Sequence, residues 1–111
     1  MEPISTQELD VLSETFRLLG DPSRLRILLH CEDGPKSVTD ISETLDLSQS
    51  LVSHHLRLLR GARLMTRVRQ SKQMFYEISD HHVGDVLLEM LSHVREERDH
   101  GSLAENVTSP S

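Results

Sequence analysis

Four side chains near the end of this sequence have the donor chemistry of a divalent metal site: Asp80, His82, His93 and Glu96. Carboxylate oxygen and imidazole nitrogen are the hard and borderline ligands that zinc takes. Their spacing decides how they could be used. His82 and His93 are eleven residues apart, so on one helix they fall about 20° from eclipsed but roughly 16 Å apart along the axis. One helix cannot bring both to one ion. Asp80 with His82 makes a half-site at the start of such a helix, and His93 with Glu96, at i and i+3, makes another near its end. Two copies packed antiparallel across a two-fold axis would set the start of one against the end of the other. The result would be two equivalent Asp-His-His-Glu sites, each bridging two subunits. Two imidazoles and two carboxylates suit zinc or cobalt, whereas nickel favours more ligands, which His81, Glu97, Asp99 and His100 lie near enough to supply. Zinc is the preferred effector on this reading, with cobalt and nickel as alternatives. Polar residues on an exposed helix are more often simply solvated, so the case needs support from the rest of the chain.

That support comes from Ser48 to Gly61, SQSLVSHHLRLLRG. Ser48 is placed to cap a helix and Gly61 to end one in an αL turn, while Leu51, Val52, Leu56, Leu58 and Leu59 supply an apolar face. Gln49, Ser50, Ser53 and His54 are left pointing outward near the N-terminal end, with Arg57 following, a set suited to base edges and phosphates. The net charge of −6 argues at first against a polyanionic partner. Its distribution reverses that. Leu47 to Tyr76 holds Arg57, Arg60, Arg63, Arg67, Arg69 and Lys72 with no acid, while the rest has the other six basic residues against all 18 acidic ones, a balance of −12. A basic patch on an acidic body is a local footprint for phosphate.

The elements that must position these residues read from periodicity and caps. A first helix starts at the Ser5-Thr6-Gln7-Glu8 capping box and runs to Leu19, with Leu9, Leu12, Phe16 and Leu19 on one face. A second opens with Asp21 as N-cap and Pro22 at its first position and continues to about Cys31. A third runs from a Ser37 cap to about Leu45, and Asp46-Leu47 turns into the fourth, completing a helix-turn-helix. Leu64 to Arg69 and Met74 to Ile78 then alternate as strands of a two-stranded wing, its basic tip carrying Arg69 and Lys72. A fifth helix spans about Asp80 to Glu97, with Val83, Val86, Leu87, Met90, Leu91 and Val94 as its apolar stripe. The fold class is therefore mainly α with a small β-hairpin, residues 1–98 as one winged helix-turn-helix domain and 99–111 as a flexible tail. The first and fifth helices carry more apolar surface than a 111-residue monomer would bury, which predicts a homodimer placing two recognition helices on an inverted-repeat operator.

Several classes are excluded by what is missing. One cysteine, Cys31, forms no internal disulfide; no apolar run is long enough for a membrane span, and MEPISTQELD lacks a leader's basic and apolar regions, so a cytoplasmic protein is expected. There is no HExxH, nucleophile elbow or glycine-rich phosphate loop, which argues against an enzyme. His30 and Cys31 are read as core or helix-end residues.

The combination of DPSRLRIL, SQSLVSHHLRLLR, a basic hairpin ending in MFYEI and a histidine-bearing last helix resembles the ArsR/SmtB family of metal-responsive repressors, over residues 5 to about 97. The resemblance implies a dimeric winged helix-turn-helix repressor that releases its operator when metal binds. It implies metal ligation by Asp80 and His82 of one subunit with His93 and Glu96 of the other. It also implies DNA contacts at Gln49, Ser50, Ser53, His54 and Arg57, with Arg67, Arg69 and Lys72 in the wing. Two departures qualify it. Lys36 to Ile41 lacks the cysteine pair of the family's thiolate sensors, which removes a soft-metal site for arsenite, cadmium or lead there, and the Gln70-Ser71-Lys72 turn lacks the glycine often found in the wing. The competing reading is a regulator of the same architecture that senses nickel, cobalt or a thiol oxidant through Cys31, or that has no effector.

Overall fold

The structure is a computed structural model that describes residues 1–99. Its elements are α1 (Thr6–Leu19), α2 (Pro22–His30), β1 (Lys36–Ser37), α3 (Val38–Leu45), α4 (Gln49–Gly61), β2 (Met65–Gln70), β3 (Gln73–Ile78) and α5 (His81–Asp99). The first four helix starts are fixed by local side-chain chemistry. Ser5 accepts from the Glu8 amide while the Glu8 carboxylate accepts from the Ser5 amide, both at 3.0 Å. Asp21, Ser37 and Ser48 cap α2, α3 and α4 by accepting from the amides of Arg24, Asp40 and Leu51. Each such cap contributes about 1 kcal/mol by satisfying an amide the helix cannot.

Between α3 and α4 the chain reverses on Asp46, held in the left-handed region at φ 57, a conformation that aspartate tolerates better than most residues. The exit from α4 differs from the sequence reading. Gly61 lies inside the helix, and the left-handed residue is Arg63 at φ 62, followed by the Leu64 amide donating to the Leu59 carbonyl at 2.9 Å. The base of the hairpin is tied to this exit, because the Ser79 hydroxyl donates to the Arg63 carbonyl at 2.7 Å and the Ser79 amide to the Leu64 carbonyl at 3.1 Å.

β2 and β3 pair antiparallel from Met65↔Ile78 to Gln70↔Gln73, with Ser71 and Lys72 as the turn. Ser71 takes φ 58 there, without the glycine that favours this region. The wing has a third strand the sequence did not announce: Lys36 and Ser37 pair with Tyr76 and Phe75, giving the antiparallel order β1-β3-β2. Two residues are too few to show a period, so no pattern could reveal them. α5 runs two residues past its expected end to Asp99, and the remainder of the expected tail, residues 100–111, lies outside the described residues.

The core gathers Ile27, Leu28 and Cys31 of α2, Ile41 of α3, Val52, Leu56 and Leu59 of α4, Leu64 and Met65 beyond it, and Leu87 of α5. Two of the expected core residues sit elsewhere. Leu51 is 39% exposed and Leu58 only half-buried, because the neighbours of α4 cover a stripe centred on Val52 and Leu59 and leave this flank open. α1 buries only Leu18, and Leu9, Val11, Leu12 and Phe16 stay exposed, as do Val86, Met90 and Val94 of α5. No helix among the described residues is long and apolar enough to cross a membrane.

This packing separates two leucines of one helix. Leu56→Ala is expected to lower the unfolding free energy by about 2–5 kcal/mol, and Leu51→Ala by about 1 kcal/mol or less. Urea denaturation of both variants measures the difference, and equal losses would return Leu51 to the core.

Candidate functional site

With Val52, Leu56 and Leu59 turned inward, the opposite side of α4 is set by the helical period. Gln49, Ser50, Ser53, His54 and Arg57 are all exposed, the first of them one residue beyond the Ser48 cap. The face combines hydroxyl, amide and imidazole groups at the N-terminal turns with a guanidinium further along, which is what reading a base edge and gripping a phosphate require. α3 and α4 stand as the two helices of a helix-turn-helix, joined through Asp46 and Leu47. Arg26 strengthens the frame from α2 by donating to the Leu45 carbonyl at 2.8 Å.

Arg67 and Arg69 stand two residues apart on β2, opposite Tyr76 and Met74, and so project from one face of the hairpin. Both are exposed, as is Lys72 at the tip. The eight residues expected to meet DNA therefore all reach solvent, five on α4 and three on the wing that follows it.

The four expected metal ligands lie along α5. Asp80 caps this helix, its Oδ1 accepting from the amides of His82 at 2.9 Å and Val83 at 3.2 Å. One oxygen serves the cap, and the second remains chemically able to ligate. His82 Nδ1 stands 3.5 Å from the same Asp80 oxygen, and its ring lies 4.1 Å from that of His81. His93 and Glu96 are exposed near the other end. The fold brings Asp80 to His82 and keeps that pair from His93 and Glu96, as the helical rise demands. Among the described residues no three histidine, cysteine, aspartate or glutamate side chains of one chain converge on a common point. Of the residues considered as further ligands, His81, Glu97 and Asp99 are on α5, and His100 lies outside the described residues.

His30 and Cys31 behave as core and helix-end residues. His30 Nε2 lies 2.9 Å from Asp40 Oδ1, joining the end of α2 to α3, and this contact above all holds the Asp40 carboxyl below its usual range. Cys31 caps α2 and is buried, and burial pushes its thiol up to about 12. The residue the sequence reading passed over is His55. It sits beside outward-facing His54 yet is 6% exposed, with Nδ1 3.4 Å from Arg24 Nη1. A signal was present: three after Val52 and four before Leu59, His55 falls at helical spacing within the apolar row.

Residues 21–67, which hold α2, the helix-turn-helix and the first part of β2, match the bacterial regulatory proteins of the arsR family. The chain is 37% identical over 91 residues to the HTH-type transcriptional regulator NmtR of Mycobacterium tuberculosis, covering 82% of this chain and 76% of that protein. It is 34% identical over 95 residues to a transcriptional repressor SmtB homolog of Synechocystis, covering 86% and 72% respectively. In three dimensions it resembles the solution structure of apo-NmtR with a TM-score of 0.72 at 35% identity, over 86% of this chain and 81% of that one.

The burial of Cys31 has a direct consequence for thiol chemistry. Only the thiolate is nucleophilic, so an aromatic disulfide reagent at pH 8 is expected to leave the folded chain unmodified and to react once urea unfolds it. Rapid labelling of the native chain would contradict this.

Proposed function

The chain belongs to the arsR family of bacterial regulatory proteins, and we propose that it acts as a homodimeric repressor that leaves an inverted-repeat operator when Zn(II) binds between its subunits. Membership makes it a DNA-binding transcription regulator of a family that includes metal-responsive repressors, and not an enzyme. One observation carries the finer reading. α5 has Asp80 and His82 at its start and His93 and Glu96 near its end, all exposed, with Val86 and Met90 exposed between the pairs and Val94 exposed beside His93. An apolar stripe lined by two incomplete ligand pairs is complementary to a second copy of itself run in the opposite direction.

The donor set fits a borderline cation. Two imidazoles and two carboxylates satisfy a four-coordinate ion such as Zn(II), and the zinc would supply a fixed link between two helices and no reaction. The residues of the chain do the rest. α5 reaches the core through Leu87, and α4 reaches the same core through Val52, Leu56 and Leu59. Holding the two α5 helices against each other therefore restrains how far apart, and at what angle, the two α4 helices stand. A spacing that suits the operator less well lowers its affinity. Linkage makes the effect mutual: if zinc weakens DNA binding, DNA weakens zinc binding by the same factor. Control by oxidation of Cys31 fits poorly, because its thiol is buried and poorly ionised.

The test is fluorescence anisotropy on an inverted-repeat duplex from the chain's own promoter, with zinc added and then removed by chelator. We expect zinc to release wild-type protein, chelator to restore it, and His93→Ala to stay bound throughout. Tight binding indifferent to zinc in both proteins would sink the sensor and leave the DNA-binding fold intact.

Division of labour on the DNA face gives a second expectation. Arg69→Ala should weaken binding to every sequence and reduce the salt slope by about 1, whereas Ser53→Ala should change the preference among operator variants and leave the slope alone. Titrations at several salt concentrations on operator and random duplexes measure both. Indistinguishable effects of the two changes would refute the assignment.

A further inference from the structure

His55 is the buried polar side chain of the described core, and neither the base-reading face nor the metal half-sites uses it. It sits on α4 with Nδ1 3.4 Å from Nη1 of Arg24, while Arg24 Nε donates to the Leu18 carbonyl at 2.8 Å. One guanidinium on the first turn of α2 thus spans from the end of α1 to the middle of α4. Arginine offers donors only, so Nδ1 of His55 must be the acceptor and the ring proton belongs on Nε2. That nitrogen lies 4.0 Å from Asp21 Oδ2.

We propose that Arg24 and His55 are positioning residues for DNA recognition: the guanidinium, anchored on the Leu18 carbonyl, holds the imidazole and thereby fixes the roll of α4 about its own axis. The need for such a device follows from the rest of the seat. Val52, Leu56 and Leu59 hold α4 down by apolar contact, which has no direction. A few degrees of roll cost that contact little, but they swing Gln49, Ser50, Ser53 and His54 away from the base edges they are to meet. A hydrogen bond weakens steeply off axis, so the one between Arg24 and His55 supplies the missing angular restraint. The inference rests on the DNA-binding reading above.

The arrangement requires a neutral ring. The charged and titratable groups around it are Asp21 at the cap of α2, Arg24 of α2 and His54 of α4. Burial is the largest influence and, with Arg24 and His54, outweighs Asp21, so His55 is held below the ordinary histidine range. Protonation would remove the acceptor and set a cation against the guanidinium. Because the folded chain disfavours the charged form, the pair's contribution is complete above about pH 6.5, the unfolded value, and is lost as the pH falls below it.

The test uses the full chain, metal-free in chelator at pH 7.5, with His55→Leu, His55→Asn and Arg24→Lys compared on the promoter duplex and on a random duplex of equal length. His55→Leu and Arg24→Lys, which keeps the charge but not the fork, are each expected to lose roughly tenfold on the promoter duplex and little on the random one. His55→Asn, with an acceptor near the place of Nδ1, should recover most of that loss. Unchanged promoter affinity in the first two, or equal losses on both duplexes in all three, would overturn the proposal. Nitrogen-15 correlation spectra of the wild-type histidine rings decide the matter where a variant fails to fold. A neutral His55 with its proton on Nε2 is expected, and a proton on Nδ1 would overturn it. If wild type does not prefer its promoter duplex at all, the operator reading fails, and the ring spectra still report on the Arg24–His55 bond.

Discussion

The burial of one side of α4 is the constraint on which the rest depends. Val52, Leu56 and Leu59 are driven from water against Ile27 and Leu28 of α2 and Ile41 of α3, and in a core with no tryptophan and little aromatic volume these few aliphatic contacts hold most of the fold together. Because the helical period is fixed, choosing the buried stripe also chooses the exposed one. The polar face of α4 is thus a consequence of the core and needs no separate cause. Every neighbouring element serves this seating. Arg26 reaches the end of α3, Ser79 ties the hairpin to the exit of α4, and His30 joins α2 to α3 through Asp40.

A lone chain is incomplete in two ways. A single chain leaves Phe16 60% exposed on α1 and Met90 57% exposed on α5, and it splits its candidate ligands between the two ends of one helix. Exposed apolar side chains at helical spacing cost free energy that a second surface would recover, and half-sites of two ligands bind metal weakly until two more arrive. In the proposed dimer one packing event answers both deficits. That economy is the physical ground for the proposed link between metal and DNA: the surface that would bring the ligands together would also set where the two α4 helices stand.

The charge pattern fits this division. The acid-free stretch from Leu47 to Tyr76 folds into α4 and most of the wing, so its six basic residues share one region of the molecule, while the acidic residues among those described lie on α1, α3 and α5 and in the segments that flank the helices, with Glu77 near the end of β3 as the one acid on the wing. A strongly charged body of the wrong sign discourages indiscriminate contact with polyanions, and the basic region gives approach a preferred direction. Buried Cys31 stands apart from all of this as a small apolar filler.

Much of this was legible in the sequence because it is local. Capping by Ser5, Asp21, Ser37 and Ser48 depends on residues three apart, and the outward set from Gln49 to Arg57 follows from a period of 3.6. The failure of one α5 helix to close a four-ligand site follows from its rise alone. What the tertiary structure decided involves residues distant in the chain. Lys36 and Ser37 become a strand only because β3 offers an edge about forty residues later. Leu51 is left open, and His55 enclosed, because neighbouring helices cover one flank of α4 and not the other, and only the fold brings Arg24 to His55. A sequence states which residues can share a face; which face finds cover depends on surfaces that meet only after the chain has folded.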